Sequence, residues 1–416
     1  MTTHNRRIVI TGLGTINPLG STVEEFWNNL CTGKSGTRKI TDVNIGDYHV
    51  QIAAQTDLPD NIRDYFKQRK MVRRLDRYIL FGQCAGAQAV RDAGLSEYRF
   101  PERIGVLIGS GDGGVGTHYQ QINRIAKHGM SSASPFYVSS SVPDTLSGVV
   151  SMETGFTGPN FAISSACASS NHAFGVACNM IACDMADVLL TGGSEAPIFE
   201  NSLAAFGQIG ALSTRNDDPE TASRPFDRDR DGFVIGEGAS VLCLEELEHA
   251  KKRKAHIYAE IAGFGFTSDA YDLVAPHPEG IGAAKAMQEA LKMAQLNTGD
   301  IDLINCHGTS TQLGDLAEFA AVERTFGDLT PQIPVHSTKS MIGHLLGAAS
   351  ATEAIAGIMA FERNIIHPTT NQFNQDPAIG YNVVRETTER PINTFVSNSF
   401  GFGGHNACVI FKRFSE

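Results

Sequence analysis

One cysteine of this chain stands where a nucleophile could form. Cys167 lies in the run 164–170, between an extended segment (160–164) and an apolar segment of small residues (168–182). This pattern predicts a strand, a tight turn and a helix, with the cysteine at or just before the helix start. The positive end of the helix dipole would favour thiolate over thiol there. The other interpretation is a buried structural cysteine, because free cysteines are mostly buried and inert.

Two histidines and a lysine also follow segments with strand character. His307 comes after residues 301–305, and Lys339 and His344 share one loop after residues 335–337. Ligands bind at the carboxyl ends of strands in α/β sheets, so both loops are candidate parts of a site. Taken singly, each histidine is more often structural than catalytic. Together with a cysteine they are the parts of a nucleophile site.

A fourth loop is rich in glycine. Residues 394–397 have strand character and lead into the run 398–406, which supplies backbone N–H donors and flexibility. These groups can provide a nucleophile, proton handling and an oxyanion-binding site. A zinc site fits less well, because the cysteine is alone, no carboxylate shares the histidine loops, and the spacing matches no structural-zinc pattern.

Length, net charge and cysteine content limit the classes of protein to which this chain can belong. With 416 residues the chain can form two or three domains, or two halves that share one large core. A net charge of −11 argues against nucleic acid as a partner. The apolar runs are too short or too interrupted by glycine to span a membrane, and Met1–Arg7 contains no apolar signal segment. The eight cysteines form no CxxC pair, which predicts a reducing cytoplasm.

Strand-like and helical segments alternate along the chain. The strand-like segments are 7–11, 103–109, 160–164, 188–193, 239–244, 257–264, 301–305, 335–337, 394–397 and 407–411. The helical patterns cover 23–30, 80–93, 168–182, 280–294 and 345–360. This alternation predicts an α/β protein with a largely parallel, helix-covered sheet. A change of unit near residue 255 divides one compact body into residues 1–255 and 256–416.

The first strand-like segment ends in Gly12-Leu13-Gly14. A G-x-G after a strand can open a dinucleotide-binding loop, but the next glycine is misplaced for G-x-G-x-x-G. Nucleotide binding is therefore only a weak interpretation of this segment.

Residues 63–77 concentrate positive charge. Seven basic residues are opposed there only by Asp64 and Asp76, a balance of +5 on a chain of −11. One interpretation of this basic segment is a solvated surface, and the other is a docking face for an acidic partner. Arg124 and Lys127 would extend such a face if they lie nearby.

These motifs resemble those of the β-ketoacyl-acyl-carrier-protein synthases of the type I/II class, closest to synthase II, in the thiolase superfamily. The resemblance covers nearly the whole chain. It rests on the Cys167 turn, Arg224-Pro-Phe-Asp, Gly236-Glu-Gly, His307-Gly-Thr-Ser-Thr, Lys339-Ser-Met-x-Gly-His344 and Asn398-Ser-Phe-Gly-Phe-Gly-Gly. It implies a five-layered α-β-α-β-α body built from two similar halves, an obligate homodimer, and neither a cofactor nor a catalytic metal.

The resemblance also implies a reaction. Cys167 would take an acyl group from acyl carrier protein, and malonyl-acyl carrier protein would then lose carbon dioxide and condense with it to a 3-ketoacyl product in fatty acid elongation. His307 and His344 would hold the enolate oxygen. The N–H groups of Cys167 and Phe402 would form the oxyanion hole, and Lys339 would orient the region of His307.

Further roles follow from the same resemblance. Glu353 would pair with Lys339, and Phe402, with Phe400 and Asp269, would gate the acyl pocket. The docking residues for the acidic acyl carrier protein would be Arg69, Lys70, Arg74, Arg124 and Lys127.

Several positions depart from the family pattern. His405 stands where threonine is usual, and the other departures are Ile342, Ser350, Gln312 and the segment 272–274. None removes a catalytic group, so they bear on loop gating and on the preferred acyl chain length.

Four alternatives share these features. A chain-length factor, the inactive partner of a polyketide synthase pair, generally lacks the cysteine that is present here. A polyketide or aryl-polyene ketosynthase would perform the same chemistry with a partner subunit. A cysteine hydrolase would have no use for the Lys339 and His344 loop. A degradative thiolase would carry a second catalytic cysteine, but Cys408 falls inside the last strand-like segment and is expected in the core.

Overall fold

The computed structural model describes residues 6–415. Residues 1–5, which belong to the segment predicted to hold no signal sequence, lie outside the described part. The strands are β1 Ile8–Ile16, β2 Thr37–Lys39, β3 Ile52–Ala54, β4 Ile104–Gly109, β5 Asn160–Ile163, β6 Val188–Glu195, β7 Gly238–Glu246, β8 Ala259–Ser268, β9 Leu303–Asn305, β10 Pro334–His336, β11 Ile365–Ile366, β12 Asn382–Val383, β13 Thr388–Glu389, β14 Thr394–Gly401 and β15 His405–Arg413.

The helices connect these strands. The α-helices are α1 Val23–Cys31, α2 Arg77–Asp92, α3 Val115–His128, α4 Tyr137–Ser141, α5 Thr145–Thr154, α6 Ser169–Ala182, α7 Glu200–Gln208, α8 Leu247–Lys252, α9 Ile281–Ala294, α10 Gln312–Phe326, α11 Lys339–Ile342 and α12 Ala349–Arg363. Short 3₁₀ helices lie at Ile62–Tyr65, Arg69–Arg73, Pro101–Arg103, Met130–Ser132, Pro219–Thr221, Thr298–Asp300, Gly327–Leu329 and Leu346–Ala348. No helix within residues 6–415 has both the length and the apolar character that a membrane crossing requires.

Eleven strands form one mixed sheet, in the order β12-β10-β9-β14-β15-β8-β1-β7-β6-β4-β5. Five neighbouring strand pairs are antiparallel (β1/β7, β1/β8, β6/β7, β8/β15 and β14/β15) and the other five are parallel. The prediction of a largely parallel sheet is therefore wrong. All nine residues of β1 are buried, so an antiparallel strand inside this layered body shows the same unbroken apolar run as a parallel one.

The sheet consists of two similar halves. In each half two antiparallel pairs are followed by two parallel pairs, in the order β1-β7-β6-β4-β5 and β8-β15-β14-β9-β10. Within the described part of the sheet, β1 and β8 join the two halves through two residue pairs, Val9 with Glu260 and Ile10 with Ala259.

The two halves of the sheet form two β layers, and helices form the other three layers. α6 and α12 pack against each other and against strands of both halves, so they form the central layer. α2 and α5 pack together outside the first half, and α9 and α10 pack together outside the second. The predicted five-layered α-β-α-β-α architecture is confirmed.

Glycines allow the outer helices to approach the strands closely. Gly12 and Gly14 lie inside β1, and a Cβ at either position would overlap a backbone carbonyl oxygen of α2, from Ala89 and Ala85 respectively. The G-x-G of the first strand therefore serves helix packing, and it does not form a nucleotide loop.

The second half repeats this arrangement. Gly263 and Gly265 lie inside β8, and a Cβ at these positions would overlap or crowd the carbonyl oxygens of Ala290 and Ala286 in α9. The pairing of a G-x-G strand with a helix that carries alanine at every fourth position thus occurs once in each half.

Gly14→Ala is expected to destabilise the fold by about 3 kcal/mol or more, because the added methyl group meets backbone that cannot move aside. Gly299→Ala is the matched control, since a Cβ there has no neighbour within 4 Å, and its effect should stay within about 0.5 kcal/mol. Urea unfolding of both variants measures the difference. Equal stabilities would contradict the close approach of α2 to β1.

Candidate active site

Cys167 lies in the turn between β5 and α6. Ala166, the preceding residue, has a φ of 50°, a left-handed conformation that is costly for a residue other than glycine. Ala168 is the N-cap, so Cys167 stands just before the helix start, as predicted. The side chain of Ser169 braces the turn, because its Oγ accepts a hydrogen bond from the N–H of Ser165 at 2.9 Å.

Three loops bring the cysteine and the two histidines together. The Sγ of Cys167 lies 3.1 Å from Nε2 of His344. The rings of His307 and His344 lie 5.3 Å apart, centroid to centroid, at an angle of 84°. All three side chains line one cavity of about 170 Å³. The sequence therefore predicted groups that do meet, although 140 residues separate Cys167 from His307 along the chain.

The resting charge of the cysteine differs from the prediction. Burial raises the pKa of the Cys167 thiol to about 12, although the positive charge of Lys339 works in the opposite direction. The helix dipole does not compensate for removal from water, so Cys167 rests as a thiol and needs a base. Nε2 of His344 lies within reach to accept its proton.

Both histidines are neutral. Burial lowers the pKa of His307 well below its ordinary value, and the neighbouring Lys339 and then His344 lower it further. Burial, followed by the charge of Lys339, has the same effect on the pKa of His344. A neutral imidazole carries one N–H donor and one acceptor nitrogen, so each ring can hold an oxyanion or move a proton.

A segment between α7 and β7 fixes the position of His344. The backbone N–H of His344 donates to the carbonyl of Val234 at 2.7 Å, and the His344 carbonyl accepts from the N–H of Gly236 at 2.9 Å. Gly343 has a φ of 66°, and a Cβ there would lie 2.8 Å from the Val234 oxygen. Gly236 also lies close to this loop, since a Cβ there would lie 2.8 Å from the carbonyl oxygen of Ile342.

Lys339 and Glu353 form an ion pair that is almost completely buried, at 1% and 0% side-chain exposure. The resemblance to the synthases implies this pair. The loop of Lys339 is joined to that of His307 by Ser337, whose Oγ donates to the Gly308 carbonyl at 2.7 Å. The charge of Lys339 thereby adds to the effect of burial, which is the main cause of the lowered pKa of both histidines.

Sequence reasoning missed one carboxylate of the site. Glu318, on α10, accepts hydrogen bonds from the backbone N–H groups of His307 and Gly308, both at 2.7 Å, and from the amide of Asn398 at 3.2 Å. It also lines the cavity. Eleven residues after His307, it has the sequence signature of an ordinary helix carboxylate, so no local signal distinguished it.

Glu318 gives folding a defined pH dependence. Burial raises its pKa to about 7, from an ordinary value of 4.5. Between these values the folded state holds a proton that the unfolded state has lost, so this group makes the free energy of unfolding fall as pH rises. In Glu318→Gln that contribution disappears.

The substitution has its own cost, which does not depend on pH. As the pH rises from 4.5 to 7.5, the free energy of unfolding of the variant should therefore increase by about 3 kcal/mol relative to that of wild type. Urea titrations at both pH values measure this difference. A difference that stays constant over the range would show that Glu318 is ionised throughout.

The glycine-rich segment is mostly strand. β14 continues to Gly401, four residues beyond the predicted end, because Asn398 and Ser399 pair with residues of β15. We use the name glycine-rich loop for residues 401–405. A Cβ at Gly401 would lie 3.1 Å from the backbone N of Cys167, so the loop runs directly beside that N–H. The Oγ of Ser399 donates to the Cys167 carbonyl at 2.7 Å.

Two phenylalanines flank the cysteine and the histidines. The ring of Phe400 lies 5.8 Å from that of His307, and the ring of Phe402 lies 6.1 Å from that of Phe206. All four residues line the cavity. Phe402 therefore belongs to the glycine-rich loop and also lines the cavity.

Asp269 fastens the neighbouring loop to the glycine-rich loop. Its backbone N–H donates to the Gly404 carbonyl at 2.9 Å, and its carboxylate accepts from the amide of Asn406 at 2.8 Å. The N–H of Gly403 donates to the carbonyl of Leu273, also at 2.8 Å. The two loops are thus linked by both backbone and side-chain bonds.

The basic segment forms an exposed face, with one exception. Arg69 and Lys70 lie on the 3₁₀ helix Arg69–Arg73, and Arg69 pairs with Asp64 at 3.0 Å. Arg77 turns inward and pairs with buried Glu237 at 2.8 Å, so it does not belong to this face. Arg77 is the first residue of α2, and its ion pair with Glu237 holds its side chain inward, away from the exposed face.

The remaining basic residues lie on adjoining elements. The guanidinium of Arg74 lies 4.5 Å from the ring centroid of Phe136, the residue before α4. α4 packs against α3, and α3 carries Arg124 and Lys127. The structure thus places all five predicted docking residues on neighbouring exposed segments.

The other reactive groups lie elsewhere. All eight cysteines are free thiols, and Cys408 is buried inside β15, as predicted. Within residues 6–415 no three side chains of histidine, cysteine, aspartate or glutamate are grouped so as to hold a metal ion.

Comparisons with known proteins cover nearly the whole chain. The family model for the N-terminal domain of beta-ketoacyl synthase matches residues 5–250, and the model for the C-terminal domain matches residues 258–373. The chain is 43% identical over 412 residues to the 3-oxoacyl-[acyl-carrier-protein] synthase 2 of Staphylococcus aureus (strain COL), and the match covers 99% of each chain.

Solved structures show the same relationship. A type II polyketide synthase ketosynthase, bound to its acyl-carrier protein, superposes with a TM-score of 0.91 at 32% identity, over 99% of this chain and 100% of the other. The ishigamide ketosynthase/chain length factor superposes with a TM-score of 0.92, with the same identity and coverage. From the matching domain models and the full-length identity, the chain belongs to the beta-ketoacyl synthase family.

Proposed function

We propose that this protein condenses an acyl group held on Cys167 with malonyl-acyl carrier protein, with loss of carbon dioxide, to give 3-ketoacyl-acyl carrier protein in fatty acid elongation. The contact between Sγ of Cys167 and Nε2 of His344, inside a cavity also lined by His307, carries the proposal. The full-length identity to a 3-oxoacyl-[acyl-carrier-protein] synthase 2 favours this substrate over a polyketide chain.

The first half of the reaction loads the enzyme. His344 accepts the thiol proton, and the Cys167 sulfur attacks the thioester carbonyl of the acyl donor. Negative charge then builds on the carbonyl oxygen, where the N–H groups of Cys167 and Phe402 stabilise it. As the carbon–sulfur bond to the carrier breaks, His344 returns the proton to the departing thiolate.

The second half extends the acyl chain. Malonyl-acyl carrier protein enters, and its thioester oxygen accepts hydrogen bonds from the neutral rings of His307 and His344. These bonds stabilise the enolate that forms when the carbon–carbon bond to the carboxylate breaks and carbon dioxide leaves. The enolate carbon attacks the acyl carbonyl, and the Cys167 thiolate is the leaving group. Phe402, with Phe400 and Asp269, gates the access to this cavity.

The proposed partner is acyl carrier protein in its acyl and malonyl forms. A similar solved structure is described as a complex of a ketosynthase with its acyl-carrier protein, and this chain carries a basic face on an acidic body. The face comprises Arg69, Lys70, Arg74, Arg124 and Lys127.

Reversal of charge on this face is expected to weaken docking without changing the chemistry. In the double variant Lys70→Glu/Lys127→Glu, KM for a carrier-bound acyl donor should rise about tenfold at low salt and less at high salt, because screening already weakens the attraction. Loading from a small pantetheine thioester should not change. Lys292→Glu, an exposed lysine on α9, is the control. Equal KM values for both variants would remove the basic face from the docking model.

We further propose a homodimer. Strand β5 lies at the edge of the sheet and leaves Phe161 37% exposed, and Met130 and Val138 nearby in the chain are 86% and 70% exposed. An unpaired edge and exposed apolar side chains of this size are typical of a protein surface that a second subunit covers. Light scattering of the purified chain distinguishes a homodimer from a subunit that needs a different partner.

Two further features belong to the same proposal. Residues 1–255 and 256–416 would be the two units of the chain, which the repeated strand order supports. The protein would act in the reducing cytoplasm, because Cys167 must remain a free thiol to act as a nucleophile.

Intact-protein mass tests the proposal directly. The protein is incubated with acyl-acyl carrier proteins of different chain length, and malonyl-acyl carrier protein is added afterwards. A single acyl mass that is gained and then released as a 3-ketoacyl product supports the condensing function and reveals the preferred chain length. Loading followed by release of free acid would support a hydrolase instead. No loading from any donor would refute the proposal for the isolated chain.

A further inference from the structure

A buried arginine lies behind the turn that follows His307. Arg230 belongs to the segment 223–232, which contains the motif Arg224-Pro-Phe-Asp, and its side chain has an exposure of 0%. Removal of a guanidinium from water is costly unless other groups satisfy its N–H donors. The bonds of Arg230 therefore indicate which parts of the structure it holds together.

The guanidinium joins three segments of the chain. Nε of Arg230 donates to the carbonyl of Thr311 at 3.0 Å, and Nη2 donates to that of Gln312 at 3.1 Å. Nη1 donates to the carbonyl of Asp227 at 2.7 Å and to the carboxylate of Asp376 at 2.8 Å. Arg230 thus bridges its own segment, the segment before β12, and the point at which α10 begins.

Asp315 completes this arrangement in the first turn of α10. One carboxylate oxygen accepts from the N–H of Ser310 at 3.1 Å, and the other accepts from the N–H of Phe226 at 2.9 Å. The second oxygen also lies 3.4 Å from Nε of Arg230, and neither charged side chain is exposed. The pair therefore fastens the turn 308–311 to the segment 223–232.

The turn that this pair holds is strained. Ser310 has a φ of 68°, a left-handed conformation that is costly for a residue other than glycine. Two backbone groups of the segment 223–232 also reach Ser310. The N–H of Arg224 donates to its Oγ at 3.0 Å, and the N–H of Gly232 donates to its carbonyl at 3.1 Å. A strained turn persists only where its surroundings over-determine it, so the loss of such bonds lets it relax.

The start of α10 is connected to His307 through Glu318. Asp315 and Glu318 are three residues apart on α10, so they lie on the same face of the helix. Glu318 accepts hydrogen bonds from the N–H groups of His307 and Gly308, both at 2.7 Å. Because Arg230 fixes the start of α10, a shift of that start would move Glu318 and His307 with it.

His344 is held from another direction. The segment 234–236, to which the backbone of His344 is bonded, pairs with the end of β3. The N–H of Ala54 donates to the carbonyl of Ile235 at 2.8 Å, and the N–H of Glu237 donates to the carbonyl of Ala54 at 3.2 Å. These bonds to β3 should keep His344 beside Cys167 when Arg230 is replaced.

We propose that Arg230 is a positioning residue for His307, which it holds through the turn 308–311 and the start of α10. The inference rests on the proposed function, in which His344 is the base of acyl loading and His307 acts on the enolate of the condensation step. Loss of Arg230 should therefore slow condensation and leave loading nearly unchanged. A purely structural role would lower stability and would not alter the balance between the two steps.

The test removes both charges of the buried pair. Loss of Arg230 alone would leave Asp315 buried without its partner, which is strongly destabilising, whereas replacement of both partners is often nearly neutral. The double variant Arg230→Met/Asp315→Asn keeps one amide oxygen as an acceptor for the turn. Asp376 is partly exposed and keeps the N–H of Ala378 as a donor at 3.0 Å.

Intact-protein mass, at saturating carrier concentrations, gives the loading rate from one acyl-acyl carrier protein and the discharge rate after malonyl-acyl carrier protein is added. In the double variant the ratio of discharge to loading should fall about tenfold or more, because misplacement of a reacting group by about 1 Å is enough for such a loss. Thermal unfolding should stay within about 5 °C of wild type. Arg253→Met/Glu245→Gln is the matched control, since this ion pair of 2.5 Å lies outside the cavity and its loss should not change the ratio.

An unchanged ratio in the folded double variant would overturn the inference, and so would an equal fall in the control. If the double variant does not fold, Arg230→Lys takes its place, because lysine keeps the charge beside Asp315 without the planar fork of donors. An unchanged ratio in that variant would overturn the inference in the same way.

A crystal structure of the variant gives a readout that does not depend on the reaction. The ring of His307 should be displaced by about 0.5 Å or more relative to that of His344, the tolerance within which a catalytic group must be held. If wild type does not load, or releases free acid, the proposed function fails. The displacement of the His307 ring then decides by itself whether Arg230 positions it.

Discussion

Cys167→Ala is expected to abolish acyl transfer, by on the order of a million-fold, because no other group can take its place as the nucleophile. Cys408, Cys306 and Cys178 are buried in the core, and exposed Cys183 lies outside the cavity. The measurement is the acyl mass gained from an acyl-acyl carrier protein. Wild type should gain one acyl group, and the variant none.

The same variant also separates the two halves of the reaction. His307 and His344 remain in place, so release of carbon dioxide from malonyl-acyl carrier protein should continue while no 3-ketoacyl product forms. An acyl mass that persists in Cys167→Ala would place the nucleophile elsewhere. Thermal unfolding close to that of wild type is the control, since a Cys→Ala change removes only one sulfur atom from the wall of the cavity.

His307→Ala is expected to slow condensation about 100- to 1,000-fold, the usual cost of removing one preorganised donor from an oxyanion site. Its ring lies 5.3 Å from that of His344, and the hydrogen-bond partner of the Cys167 Sγ among the described residues is His344. Loading of the acyl group should therefore continue at a rate near that of wild type. Intact-protein mass measures both the loading rate and the discharge rate. The ratio of discharge to loading should fall in the variant.

His336→Ala is the matched control for this second prediction. His336 is also a buried histidine at the end of a neighbouring strand, but it does not line the cavity. Its loss should lower stability and leave the ratio of discharge to loading unchanged. If His307→Ala slowed both steps equally, His307 would act on the nucleophile as well, and the division of labour between the two histidines would be wrong.

Each proposed catalytic group is marked by a local pattern in the sequence. Cys167 precedes a run of small residues, and His307, Lys339 and His344 each follow a strand-like segment. Reactive side chains at strand ends in an α/β pattern meet at one edge, so the set could be recognised before any contact was known. The five-layered architecture followed from the resemblance of these motifs to those of the synthases, and the structure agrees.

The charges of the site could not be read from the sequence. The helix dipole suggested a thiolate at Cys167, but burial keeps it a thiol, because removal from water outweighs the field of one helix end. Burial depends on the packing of several elements against each other. Glu318 was missed for the same reason, since only the fold places it under the backbone of His307.

The direction of the strands was also decided by the tertiary structure. Strands β1 and β15 are buried on both faces, and burial removes the alternation of polar and apolar residues that would mark an antiparallel pair. The internal repeat was present in the sequence as G-x-G in a strand and alanine at every fourth position in the next outer helix. The glycines of β1 suggested a nucleotide loop until α2 was seen to pack against them.

The sequence by itself thus identified the candidate residues and the kind of chemistry that they could perform, because residue type and position at a strand end are local properties. Only the tertiary structure decided the protonation of Cys167, the inward turn of Arg77 toward Glu237, and the burial of Arg230 beside Asp315. Burial and proximity arise from contacts between segments far apart in the chain, and no local pattern encodes them.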